Sequence, residues 1–177
     1  IGGSLVGLTL VANAFVSPPL LWAYLLVAIW AALMTREFFV RDWLRARPTA
    51  YLLTHMAIMP AIDVYTTGLD WLAEGARAPH GLVAFLAVTF LNGVLIEVGR
   101  KLRAPANERE GVDTYTKAWG LRLAPIVWIA TLAGSAASAW VAARDTGTAT
   151  VALLVLAPVA GLCTWPAIAF LRQPEPR

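Results

Sequence analysis

Between Glu97 and Gly120 the chain reads EVGRKLRAPANEREGVDTYTKAWG, gathering five cations (Arg100, Lys101, Arg103, Arg109, Lys117) and four acids (Glu97, Glu108, Glu110, Asp113). Carboxylates can ligate a hard divalent cation, which prefers oxygen donors and is commonly held by one or two carboxylates together with substrate phosphates. Guanidinium groups grip phosphate oxygens in pairs. The combination suggests a site for a metal-bound diphosphate. Glu97 precedes Arg100 and Lys101 by three and four positions, so on a helix the three share a side. A helix-end ion pair is the plainer reading of that trio. Pro105, the Glu108/Glu110 pair and Gly111 spell a stiff polar turn that could return its carboxylates toward Glu97.

A second constellation lies in His55, Met56, Met59, Pro60, Asp63, Tyr65, Thr66, Thr67 and Asp70. On a helix Asp63, Thr67 and Asp70 fall on one face with Met56 and Met59 beside them. An acid inside a membrane is costly and marks a functional site by default. Asp63 could orient an acceptor or assist proton loss, or it could make a buried helix-to-helix hydrogen bond. Pro60 removes a backbone donor and should kink the helix, opening room beside His55 and Asp63. His55 could bind substrate or be a satisfied structural histidine. Asn92 stands five residues before Glu97, about 140° around a helix, and so does not share its face.

The elements that must carry these groups follow from composition. Apolar residues make up 59% of the 177 and there are eight Trp, which describes a chain whose solvent is mostly lipid. A spanning helix needs roughly 20 apolar residues. Six runs approach or meet that length: 1–16, 18–35, 49–72, 80–99, 121–143 and 148–171. They are continuous, unlike the alternating segments of a membrane barrel. The expected fold is an all-α polytopic transmembrane helix bundle of six spans, forming a single transmembrane domain over 1–177. Its first run is short and begins without a charge or cap, so the chain reads as the later part of a longer protein. Cys163 is the only cysteine; it excludes an internal disulfide and reads as a small buried apolar residue.

Basic residues should crowd the cytoplasmic loops. Arg36, Arg41, Arg45 and Arg47 follow the second run, the five cations above follow the fourth, and Arg172 and Arg177 follow the sixth. The other side has only Arg77 and Arg144. Loops 36–48 and 100–120 are therefore expected to be cytoplasmic in a multi-pass cell-membrane protein. The net charge of +3 reflects this orientation and not nucleic-acid binding. The segment REFFVRDWLRAR reads as an amphipathic extension of the second helix lying in the headgroup layer, with its arginines on membrane lipid or sharing in diphosphate binding. Gly134 and Ser138 form a small-xxx-small pair that lets a neighbouring helix approach.

An acid at a helix end, then RKxRxP, an acidic turn and Gly-Val-Asp-Thr-Tyr-Thr before the next helix resembles the second conserved region of the UbiA superfamily of intramembrane prenyltransferases. The resemblance is best over Asn92–Gly120. Members of that family are all-helical bundles of about nine spans, each needing a bilayer-crossing length of apolar residues; two Asp-rich cytoplasmic motifs bind Mg²⁺ and a prenyl diphosphate. Here Glu97 takes the leading acid's place and Asn107 stands where an Asp is expected. The first Asp-rich motif is expected before Ile1, and without it the chain alone is expected to be inactive. The resemblance implies Mg²⁺-dependent transfer of an isoprenoid chain from a prenyl diphosphate to an aromatic or other lipophilic acceptor. Glu97, Asn107, Glu108 and Asp113 would be Mg²⁺ contacts; Arg100, Lys101, Arg103, Lys117, Tyr115 and His55 would contact substrate; Glu97 and Asp63 would serve catalysis. The opposing classes are an ion or solute transporter using Asp63, His55 and Glu97, and a structural subunit without chemistry. Transport predicts polar groups through the membrane depth, whereas most charge here lies at the cytoplasmic mouth.

Overall fold

A computed structural model describes residues 2–173. All regular structure among them is helical. Four helices are long and apolar enough to cross a membrane: Pro18–Thr35, Leu82–Arg100, Leu123–Asp145 and Ala149–Arg172. Large apolar side chains such as Leu8, Trp22, Val83, Leu154 and Leu162 stand exposed along the helices, while the helices supply their own backbone hydrogen bonds except where Pro158 and Pro166 lack a donor within Ala149–Arg172. That is the arrangement a hydrocarbon solvent requires. The chain forms two compact units, Ile1–Leu82 and Val83–Arg177.

In the first unit α1 (Gly2–Val16) passes through Ser17 into α2 (Pro18–Thr35). Pro18 and Pro19 occupy the first turn of α2, where their missing N–H groups cost nothing. The Ser17 hydroxyl donates to the Leu72 carbonyl at 3.1 Å, and Asn13 Nδ2 donates to Tyr65 Oη at 3.0 Å. Leu20 of α2 is fully buried near Gly68, where an added Cβ would meet Leu72 Cδ1 at 2.7 Å.

The third apolar run, expected as one kinked helix, runs as α4 (Pro48–Met56) and α5 (Ile58–Trp71) about a kink at Ala57, which keeps helical angles of φ −61° and ψ −17°. The kink at Ala57 lies one turn before Pro60, whose ring clashes with the carbonyl four residues back and which offers it no donor. Each piece falls short of the four spanning helices.

The expected amphipathic extension of α2 is also corrected. Glu37, Phe38 and Phe39 adopt φ of 50°, 53° and 59°, a left-handed conformation that L side chains avoid, and this turn ends α2. A short separate helix, α3 (Arg41–Arg45), follows. The turn seats Phe38 edge-on to Trp30, with ring centroids 5.3 Å apart, and to His55 at 5.8 Å.

The second unit holds α6 (Leu82–Arg100), a one-turn 3₁₀ segment at Pro105–Asn107, α7 (Tyr115–Trp119), α8 (Leu123–Asp145) and α9 (Ala149–Arg172). Two polar clasps join α6 to α8. Trp128 Nε1 donates to the Leu95 carbonyl at 3.0 Å, and the Ser135 hydroxyl donates to Asn92 Oδ1 at 2.8 Å. Gly99 makes the first possible, since a Cβ there would lie 2.9 Å from Trp128 Nε1. At Gly134 an added Cβ would meet the Leu91 side chain of α6 at 3.4 Å. α8 and α9 pack as an antiparallel pair around Gly147, whose φ of 73° suits glycine. Cys163, expected to be buried, is exposed on an apolar helix face that lipid would cover.

Candidate functional site

The last turn of α6 places Glu97 at 7% exposure, with its cations one turn further on. Arg100 Nε donates to Glu97 Oε2 at 2.6 Å and Nη2 reaches the same oxygen at 2.5 Å. Lys101 Nζ lies 2.8 Å from Oε1. Both Glu97 oxygens therefore face cations from its own helix. The helix-end ion pair read from the spacing is the observed state.

The chain then turns back on itself. Tyr115 N donates to the Lys101 carbonyl at 3.2 Å, and Lys101 Nζ sits over the buried Tyr115 ring, 5.6 Å from its centroid. Tyr115 thus anchors the loop, wedged at the root of α7. Arg103 N donates to Thr116 Oγ1 at 3.2 Å.

Glu108 is the hub of the loop. Its Oε1 accepts the hydroxyls of Thr114 at 2.7 Å and Thr116 at 2.8 Å, and Lys117 Nζ lies 3.6 Å from Oε2. Thr114 Oγ1 in turn accepts from Lys117 N at 3.2 Å, capping α7. Lys117 Nζ donates to the carbonyls of Arg109 at 2.8 Å and Val112 at 3.2 Å. The Thr114 hydroxyl does most to hold the Glu108 carboxyl below its ordinary pKa. Partial burial opposes it, and the Thr116 hydroxyl and Lys117 cation add to the lowering. The acidic turn was expected to return toward Glu97; Glu108 instead binds the start of α7.

Between this loop and the end of α9 opens a cleft of about 640 Å³. Arg100, Arg103, Asn107, Glu108 and Arg109 bring polar groups to it, and Leu102, Ala104, Ala106 and Phe170 supply apolar wall. Among the described residues no acceptor is recorded for the side-chain nitrogens of Arg103 or Arg109. The cleft therefore presents guanidinium groups that the described residues leave available, while Glu108 Oε1 engages the loop and its buried Oε2 has no hydrogen-bond partner. Such a cavity is suited to an anion with several oxygens.

Of the residues singled out in sequence, Arg100, Arg103, Asn107 and Glu108 meet at the cleft. Lys101 and Lys117 sit among loop and helix-end partners. Asp113 is exposed and makes no ion pair among the described residues. Arg109 and Phe170 were not assigned to the site. Arg109 carried the same signal as its neighbours, but nothing in sequence links Phe170, on α9, to a loop some 60 positions earlier.

His55 and Asp63 belong to the first unit. His55 Nδ1 is 2.9 Å from the Tyr51 carbonyl, which can only accept, so Nδ1 carries the proton. The imidazole stacks on the Tyr51 ring at 3.9 Å and 15°, the arrangement of a structural histidine. Asp63 Oδ2 is buried with no hydrogen-bond partner, and its backbone carbonyl accepts the Thr67 hydroxyl at 2.6 Å.

Of the magnesium contacts that the resemblance implies, Glu97 faces Arg100 and Lys101, Glu108 Oε1 accepts two hydroxyls while its buried Oε2 has no hydrogen-bond partner, and Asn107 lines the cleft beside Glu108. Among the described residues no three His, Cys, Asp or Glu side chains gather as a cation site.

Fold and site together define an all-helical membrane protein with a basic cleft at the end of its spanning helices. No family model, curated protein or solved structure matches the chain.

Proposed function

We propose that the chain is the membrane-embedded part of a prenyltransferase akin to the UbiA superfamily, moving an isoprenoid chain from a prenyl diphosphate to a lipophilic acceptor. The arginine-lined cleft carries this reading. A diphosphate needs several charge-assisted donors at the membrane surface, and an isoprenoid tail needs an apolar exit beside them; Phe170 and the exposed face of α9 offer one. In the reaction the allylic C–O bond breaks, its electron pair leaves with the diphosphate, and the acceptor bonds to the allylic carbon and loses a proton. Negative charge grows on the leaving oxygens as the bond breaks. Fixed guanidinium donors stabilise that charge more in the transition state than in the ground state. Glu97 contributes by fixing Arg100 and Lys101 at the mouth.

In this reading the fold has six crossings, with α4 and α5 making one kinked span, within a larger bundle of about nine, the lengths following bilayer thickness. Loops 36–48 and 100–120 face the cytoplasm, as the distribution of basic residues requires.

The test is prenyl transfer in membranes containing the complete protein, followed as label from a prenyl diphosphate entering the lipid-soluble fraction. Arg103→Ala should reduce turnover by about 10- to 100-fold, the worth of one charge-assisted phosphate contact. Turnover indifferent to Arg103 and Arg109 would remove the cleft from the reaction. One observation favours transport instead, namely the partnerless buried oxygen of Asp63. Ion flux through proteoliposomes that stops with Asp63→Asn would select that reading.

A further inference from the structure

We infer that segment 36–47 of the first unit is a docking surface for anionic phospholipid headgroups, its partner being the lipid of the leaflet in which α2 ends. The surface shares no residue with the cleft and does not depend on the transferase reading.

α2 has spanning length and ends at Thr35, so the residues that follow it start at a membrane surface. The left-handed turn at Glu37, Phe38 and Phe39 is unfavourable for L side chains. It is held on one side by Phe38, set against Trp30 and His55. Leu44, 1% exposed, fixes the far end of the segment. With those two side chains turned inward, Phe39 stands 76% exposed, Trp43 49% and Val40 46%. Aromatic rings at the end of a spanning helix belong to the headgroup layer, where their apolar bodies leave water while polar edges stay near it.

The charges on the same segment are open to a partner of opposite sign. Arg36, Arg41, Arg45 and Arg47 are all exposed, and among the described residues none of them makes an ion pair. The two acids within the segment do not neutralise them. Glu37 keeps Oε2 buried without a hydrogen-bond partner, and Asp42 forms no ion pair among the described residues. Arg47 lies over Trp43, 4.6 Å from the ring centroid, and its Nη1 donates to the Trp43 carbonyl at 3.4 Å. One cation is thereby fixed beside an interfacial ring. Guanidinium groups take phosphate oxygens in pairs, and basic segments next to a spanning helix are drawn to anionic leaflets. A soluble anion would use the arginines and leave the rings in water, whereas a leaflet covers both.

The experiment places the full chain in phosphatidylcholine vesicles and follows spin-labelled phosphatidylglycerol and phosphatidylcholine by electron paramagnetic resonance, which reads how strongly the protein restricts each lipid. Phosphatidylglycerol should be preferred. Combining Arg36→Gln, Arg41→Gln, Arg45→Gln and Arg47→Gln should lower that preference by about fivefold or more, at least the worth of one arginine at an anionic surface, at unchanged helical content. Should the combined variant lose helix, the four single variants decide: each is expected to lower the preference, and indifference to all four would overturn the inference. A preference absent from the wild-type chain, or one that survives the combined variant in folded form, would overturn it as well. So would loss of the preference on adding millimolar inorganic phosphate at constant ionic strength, which would assign the arginines to a soluble anion.

Discussion

Glu108 fastens the loop that carries it. Its carboxylate holds Thr114, Thr116 and Lys117, so the loop between α6 and α7 depends on its charge. Its pKa is lowered from 4.5 in the folded state. A carboxyl with a depressed folded pKa gives stability that is present above the unfolded value and lost as pH falls through the folded one. The loop should therefore stay ordered at pH 7 and 5.5 and loosen only below pH 4.5. Hydrogen exchange of residues 101–117 should then rise with acid, and Glu108→Gln should raise it already at neutral pH. Protection that is insensitive to both would show that other contacts hold the loop. Glu97 was legible as an ion pair because its partners lie within one helical turn. The partners of Glu108 lie six to nine residues away across an irregular turn, which no periodicity describes.

Helix packing in each unit depends on glycines that are not equivalent. At Gly99 an added Cβ would lie 2.9 Å from the Trp128 indole nitrogen, which is fixed by its bond to Leu95. At Gly68 the nearest atom is the flexible end of Leu72, at 2.7 Å. Gly99→Ala should cost about 1–3 kcal/mol, the usual range for overpacking, whereas Gly68→Ala should cost less because Leu72 can change rotamer. Unfolding in mixed detergent micelles would rank them, and equal losses would refute the distinction. Pro60 explains the kink between α4 and α5, which its position in the apolar run made readable. The left-handed turn at Glu37–Phe39 had no sequence sign, since none of its residues is glycine. Packing of Phe38 on Trp30 and His55 accompanies it.

The exposed apolar belts and the alternation of basic loops define how the chain should sit in a bilayer. α8 separates the charged loop from the Thr146–Thr148 turn by 23 residues, a length of about 35 Å at 1.5 Å per residue, enough to cross the hydrocarbon core. In a Cys163→Ser background, Ala106→Cys should react with an impermeant maleimide only from the cytoplasmic face, and Thr146→Cys only from the opposite face. Labelling of both from one side would remove α8 from the spanning set and reverse the assignment of the cleft to the cytoplasm.

Composition and run length were enough to assign a helical membrane protein, because a bilayer imposes one requirement, apolar length, on every crossing. What only the folded chain decided is which charges are already spent. Partners such as Thr114 for Glu108, or the approach of Phe170 to the arginine loop, depend on tertiary closure. It is that closure, more than the list of ionisable residues, that pairs Glu97 with its helix-end cations and Glu108 Oε1 with two hydroxyls, while Arg103 and Arg109 line the cleft.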